Sequence, residues 1–224
     1  MALIKKLTVS TALVACVAAC GGGTVKSAQE RFEEDFLAID AQAASLIDTP
    51  GTKFTAMPSN GAAEFEGSAV IVILPDENDE SQDIFVIGDA EITADFQAAT
   101  LTGEVTNLEA GTNFVSDTNF DVVDVEGSVE IGGEQSLIGV DPDDNLQDRP
   151  NQWFADYSGD LEIQGDTYTV GGTLLGDFRG TRLNPEGGQS AIKGLVGSSP
   201  DGYAAINGNI EEVPAPMLII GTNN

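Results

Sequence analysis

Carboxylates are the chemistry-bearing side chains this chain has in quantity. Asp and Glu number 37 against 9 Lys and Arg, histidine is absent, and both cysteines lie before residue 21. A Ser-His-Asp mechanism is thereby excluded, and a transition-metal site past the leader would need oxygen ligands alone. Haem would have to rest on Tyr157, Tyr168, Tyr203, Met57 or Met217, each of which reads more simply as a barrel-wall residue or loop anchor. A carboxylate pair such as Asp156 and Asp160 meets the minimum for general acid–base work, yet chance pairs abound in so acidic a sequence. No Ser-x-x-Lys or Gly-x-Ser-x-Gly stands at a strand-to-helix turn. The expectation is a protein that is not an enzyme.

Two other chemistries fit the residue types. Asp141, Asp143, Asp144, Asn145 and Asp148 crowd one loop, and Asp76, Glu77, Asp79, Glu80 and Asp83 another, a density of hard oxygens that suits calcium. The calcium candidate is Asp141, Asp143, Asn145 and Asp148, although Leu146 stands where an EF-hand needs glycine. Solvated acidic loops are the plainer reading, and no other cofactor is expected. For recognition, Arg149, Trp153, Phe154 and Tyr157 cluster in sequence, and Phe178, Arg179 and Arg182 supply further aromatic and positive character. Such residues carry binding energy when they sit in pockets. The competing reading has Trp153 closing one end of a core.

The elements that position these residues begin with a leader. Lys5 and Lys6 precede an apolar run from Leu7 to Ala19, and Val17-Ala18-Ala19-Cys20 is followed by Gly21-Gly22-Gly23. A basic start, a short apolar core and small residues before a break are the marks of an export signal, too short to span a bilayer. The cysteine at the break resembles the lipobox of bacterial lipoproteins. That resemblance implies a diacylated thiol at Cys20 bearing chains such as palmitate, cleavage before it, and stable anchoring by more than one chain. Leu13-Val14-Ala15-Cys16 is an alternative lipobox with a shorter apolar core. Gly21 is not the aspartate that retains such lipoproteins at the inner membrane, so the resemblance implies the outer membrane, facing the periplasm or the outside. With the leader gone there is no thiol left, hence no disulfide framework.

Residues 1–19 thus read as a signal peptide, 20–24 as a flexible tether, 25–50 as a helical segment and 51–224 as one domain. Phe32, Phe36, Ile39, Ala43 and Leu46 make one apolar stripe in a helix over Lys26 to Ile47, and Thr49-Pro50-Gly51 stops it. From Ala63 the period becomes two: Phe65, Ala69, Ile71 and Ile73 alternate with Glu66, Ser68, Val70 and Val72, and the pattern recurs at 91–96, 100–106, 123–131, 160–164 and 168–170. Further strands fit Gly176 to Arg182, Ala191 to Val196, Tyr203 to Ile210 and Met217 to Ile220. Polar or glycine-rich turns separate them, including Leu108 to Asn119. About eight to ten short antiparallel strands with glycines inside them favour closure into a barrel over a sandwich. The charged alternate face argues against a membrane-spanning barrel.

Several stretches are familiar. Gly88-Asp89-Ala90-Glu91-Ile92-Thr93-Ala94-Asp95-Phe96 and Ala99-Thr100-Leu101-Thr102-Gly103 together resemble a strand pair of the transferrin-binding protein B-like surface lipoproteins. Ala63 to Ala69 resembles the strand that precedes it there, and Gly176-Asp177-Phe178-Arg179-Gly180 with Ala191-Ile192-Lys193-Gly194 a later hairpin. The resemblance implies a small, soluble, all-β domain, an eight-stranded antiparallel barrel. It also implies a non-enzymatic outer-membrane lipoprotein that binds a protein or small ligand through loops at one barrel mouth. The alternative is a structural or acidic coat lipoprotein without a specific ligand. The negative charge repels nucleic acid and admits a basic partner, and a monomer is expected.

Overall fold

The computed structural model describes residues 26–76, 78–116, 119–139, 149–180, 192–209 and 211–223. Among these residues a single α-helix, α1 (Ala28–Asp48), precedes twelve strands. Its N-cap is a reciprocal capping box: Ser27 Oγ accepts the Glu30 N–H at 3.1 Å, and the Glu30 carboxylate accepts the Ser27 N–H at 2.8 Å. It ends at Thr49, just before Pro50, because the residue ahead of a proline is pushed out of helical geometry.

The strands are β1 (Ala62–Ile73), β2 (Ile84–Asp95), β3 (Thr100–Ser116), β4 (Asn119–Asp124), β5 (Glu126–Gly127) and β6 (Val129–Gly139). Then come β7 (Arg149–Ile163), β8 (Asp166–Arg179), β9 (Gly194–Ser199), β10 (Tyr203–Ile206), β11 (Glu212–Pro214) and β12 (Met217–Thr222). Eight of them, in the order β1-β2-β3-β6-β7-β8-β9-β12, form an antiparallel barrel that closes where β12 pairs with β1. The eight follow one another around the wall in chain order. Strand β4 is a hairpin arm on the second half of β3, and β10 and β11 extend the wall beside the first half of β8.

The alternation expected of a one-sided sheet is present. Phe65, Ala69, Ile71, Ile73, Val86, Ala90, Ile92, Leu101, Val105, Leu161, Leu174, Phe178 and Leu195 belong to one buried cluster inside the barrel. The neighbouring positions Glu64, Glu66, Glu91, Thr93, Glu104 and Glu130 are exposed. This is the inverse of a lipid-facing barrel, which is apolar outside. No helix among the described residues is long and apolar enough to cross a membrane.

The barrel has two unlike ends. At the strap end, residues 50–61 cross the mouth. Thr52 donates N–H to the Phe178 carbonyl (2.8 Å), the Gly180 N–H reaches the Pro50 carbonyl (2.8 Å), and Met57 packs on the interior cluster. The hairpin end carries the β3–β4 arm, the loop 74–83 and the tight turn Gln164–Gly165. Both turn residues have positive φ (54° and 92°), which matches the strand twist in a two-residue hairpin.

Two expectations fail in an instructive way. Leu108 to Ser116 is not a turn but the continuation of β3, and Asn119 already belongs to β4; residues 117 and 118 lie outside the described residues. Opposite Gly88, β3 carries an extra residue at Asn107–Leu108, with Asn107 at φ 51°, so Val105 and Leu108 both face inward. A bulge of this kind breaks the period without ending the strand. Likewise, 123–131 is not one strand, because β4 and β6 pair with different halves of β3.

The β2–β3 turn is pinned by Asp95, whose carboxylate accepts the N–H groups of Gln97 (2.8 Å) and Ala98 (2.9 Å). It is completed by Ala99 at φ 57°, a region that penalises any residue with a Cβ. Ala99→Gly is therefore expected to raise stability by about 0.5–1 kcal/mol in urea melts with unchanged m-value, the strain relief exceeding the loss of one half-buried methyl.

Candidate functional site

The residues expected to form a rim cluster are dispersed. Trp153, Tyr157 and Phe178 point into the barrel and are buried, at 2%, 3% and 0% exposure. Phe154 lies on the outer wall beside Leu175, its cross-strand neighbour. Arg149 begins β7 opposite Gly139. Arg179 serves α1: its guanidinium lies 3.5 Å from the Ile47 carbonyl and 3.4 Å from that of Thr49, and it pairs with Asp177 at 3.0 Å. A cation there complements the negative end of the helix dipole. Arg182, Cys20, and the calcium candidates Asp141, Asp143, Asn145 and Asp148 lie outside the described residues. Among the described residues no three Cys, Asp or Glu side chains converge to hold a metal.

Trp153 is seated by missing side chains. Its register partner on β8 is Gly176, whose own partner on β9 is Gly197, so two bare backbones lie side by side under the indole. A Cβ on Gly197 would stand 2.2 Å from the ring, and one on Gly176 2.3 Å from it. Tyr157 sits further along the same inward row. Its hydroxyl donates to the Ala215 carbonyl at 3.3 Å, tying β7 to the segment between β11 and β12. Burial is the main cause that pushes its pKa up to about 12.

That shift has a stability consequence. Folding holds the Tyr157 proton more tightly than the unfolded chain does, so its contribution is complete below pH about 10 and is lost as pH rises from about 10 through 12. Tyr157→Phe should flatten the alkaline decline of the thermal midpoint over that window. It should cost about 1 kcal/mol at neutral pH through the lost hydrogen bond. Burial also raises the Tyr168 pKa, so part of the decline should remain.

What the fold assembles instead is on the outside. Glu66 is directly opposite Glu91, Glu91 opposite Glu104, and Glu104 opposite Glu130, across β1, β2, β3 and β6. All four are exposed. Neighbouring strands are about 4.8 Å apart, so this is a lateral ladder of like charges with no basic side chain interposed. Directly opposed like charges destabilise a sheet, and a cationic group laid along the ladder would offset that repulsion. Beyond it, a depression of about 460 Å³ is lined by Ser128, Glu130, Ser158, Gly159, Asp160 and Thr169, with Thr169 Oγ1 donating to Asp160 at 2.6 Å.

The four glutamates are visible in the sequence as polar alternates, but their alignment is not. It follows from the β1–β2 register, the four-residue Phe96–Ala99 connection and the β3–β6 pairing. Fold and wall together define an acidic, filled, eight-stranded barrel. No family model, no curated protein and no solved structure matches this chain.

Proposed function

We propose that this chain is a non-enzymatic lipoprotein of the outer envelope, anchored through Cys20, that recognises a basic partner with the outside of its barrel. The observation that carries the reading is the exposed ladder Glu66–Glu91–Glu104–Glu130 on a barrel whose interior is occupied by its own side chains. A filled interior leaves the wall and the loops as working surface. The strap 50–61 and the β2–β3 turn supply its remainder at the strap end.

The resemblance to transferrin-binding protein B-like lipoproteins supports the non-enzymatic binding role, and implies loops at one barrel mouth as part of the surface. A second reading, an acidic coat protein without a ligand, is favoured by the burial of Trp153, Tyr157 and Phe178.

The test is capture of basic proteins by the form lacking residues 1–20, alongside titration with a polylysine peptide over a range of salt. Recognition predicts reproducible capture that weakens when Glu91→Gln and Glu104→Gln are combined. It also predicts a shallower salt dependence in that variant, because fewer charges are neutralised on binding. Capture no different from controls, in wild type and variant alike, would favour the coat.

A further inference from the structure

The position of α1 decides which end of the barrel faces the membrane. The helix runs along the outer wall. Near its N-terminus Phe32 meets Phe120 of β4 (ring centroids 5.7 Å apart) and Phe36 meets Phe85 of β2 (6.1 Å), both at the hairpin end. At its other end Leu46 lies over Gly194, and Arg179 reaches Ile47 and Thr49, all at the strap end. Phe32, Ile39, Ala43 and Leu46 are buried along its whole length against Val70, Val72, Ile87, Val196 and Ile220. The helix is thus fixed to the wall.

From Cys20 to the helix cap Ser27 the chain advances seven residues. In any conformation that segment reaches at most about 25 Å. A helix of 21 residues rises about 31 Å. An anchor at Cys20 is therefore too short to let the strap end meet the bilayer end-on while α1 stays docked.

The geometry points to a lipid surface against the hairpin end, with the strap end turned outward; this rests on the anchor proposed above. Charge follows the same axis. Between Lys53 and Arg149 the sequence holds no lysine or arginine. Lys53, Arg149, Arg179 and Lys193 stand at the strap end, whereas the hairpin end carries Asp76, Asp79, Asp83, Asp121, Asp166 and Asp201, with Lys26 and Arg31 beside it at the start of α1. The acidic end stands off from anionic headgroups by roughly a Debye length, about 8 Å at physiological salt, well within the reach of the tether. A soluble partner arriving from outside meets the strap end and the upper wall first.

The test uses the full chain, processed and lipidated in a bacterial host, then reconstituted into vesicles of phosphatidylethanolamine and phosphatidylglycerol. Once Cys16 is removed and Cys20 acylated, an introduced cysteine is the only free thiol. Ser81→Cys, in the 74–83 loop, and Gln97→Cys, in the β2–β3 turn, place a fluorophore at opposite ends on exposed positions. Energy transfer to a headgroup-labelled lipid should be several-fold greater from position 81 than from 97. Inserting a glycine-serine spacer of about thirty residues after Gly23 should erase the difference, since such a linker exceeds the barrel length. Equal transfer from both positions without the spacer, or greater transfer from 97, overturns the orientation alone. Failure of the protein to float with vesicles overturns the anchor, and the orientation with it.

Discussion

Trp153→Ala is expected to cost about 3–5 kcal/mol of folding free energy, enough to cripple a domain of ordinary stability. The indole fills the space above Gly176 and Gly197, side by side on β8 and β9. Trp153→Phe should cost clearly less, because the indole Nε1 has no hydrogen-bond partner to lose among the described residues. The sharper form of the prediction concerns the glycines. The three atoms nearest a Cβ at Gly197, at 2.2–3.2 Å, all belong to Trp153, whereas a Cβ at Gly176 also strikes the Val196 carbonyl at 2.4 Å. Gly197→Ala should therefore be strongly destabilising in the wild type and close to neutral beside Trp153→Ala. Gly176→Ala should stay destabilising in both backgrounds. Urea denaturation of the six proteins that make up the two double-mutant cycles decides it, and additive effects at position 197 would show that the indole does not lie where described.

The second large effect lies outside the barrel. Phe32→Ala is expected to cost about 3 kcal/mol, the lower part of the range for a buried phenylalanine, since its site borders solvent. The ring packs edge-on against Phe120, which stacks on Phe114 at 4.8 Å, which in turn meets Phe85 at 5.2 Å. Loss of Phe32 should loosen α1 and the β3–β4 arm together while the closed barrel persists. Hydrogen exchange should therefore accelerate over 28–48 and 112–124 and stay slow in β7 and β8. Uniform acceleration everywhere would mean that helix and barrel unfold as one unit. In the lipidated protein the same variant should blur the orientation difference, since that difference depends on a docked helix.

Much of the fold is legible in the sequence because local chemistry alone writes it. The spacing of Phe32, Ile39, Ala43 and Leu46 gives a helix with one buried stripe, whereas the Ser27–Glu30 capping box starts it at Ala28 rather than at Lys26. Phe65 to Ile73 and Ile92 to Phe96 give strands with one face in a core, and enough such strands without a covering layer require closure. Legibility fails where a backbone irregularity changes the parity, as at Asn107–Leu108, or where one long strand serves two partners, as β3 does for β4 and β6. The candidate site is the least legible part. Trp153, Tyr157 and Phe178 have the composition of a binding surface, but alternation along β7 and β8 places them inward with Ala155, Leu161 and Leu174. Their aromatic character serves packing.

By itself the sequence determined the helix, the one-sided strands, the antiparallel closure and the acidity, because each depends on neighbours a few residues away in the chain. Only the tertiary structure decided that four glutamates from four strands form one row, that an indole rests on two glycines, and that Arg179 clasps a helix 130 residues upstream. Alternation tells which face of a strand a side chain takes. Its lateral neighbours depend on register, which turn lengths, bulges and long-range pairing set together.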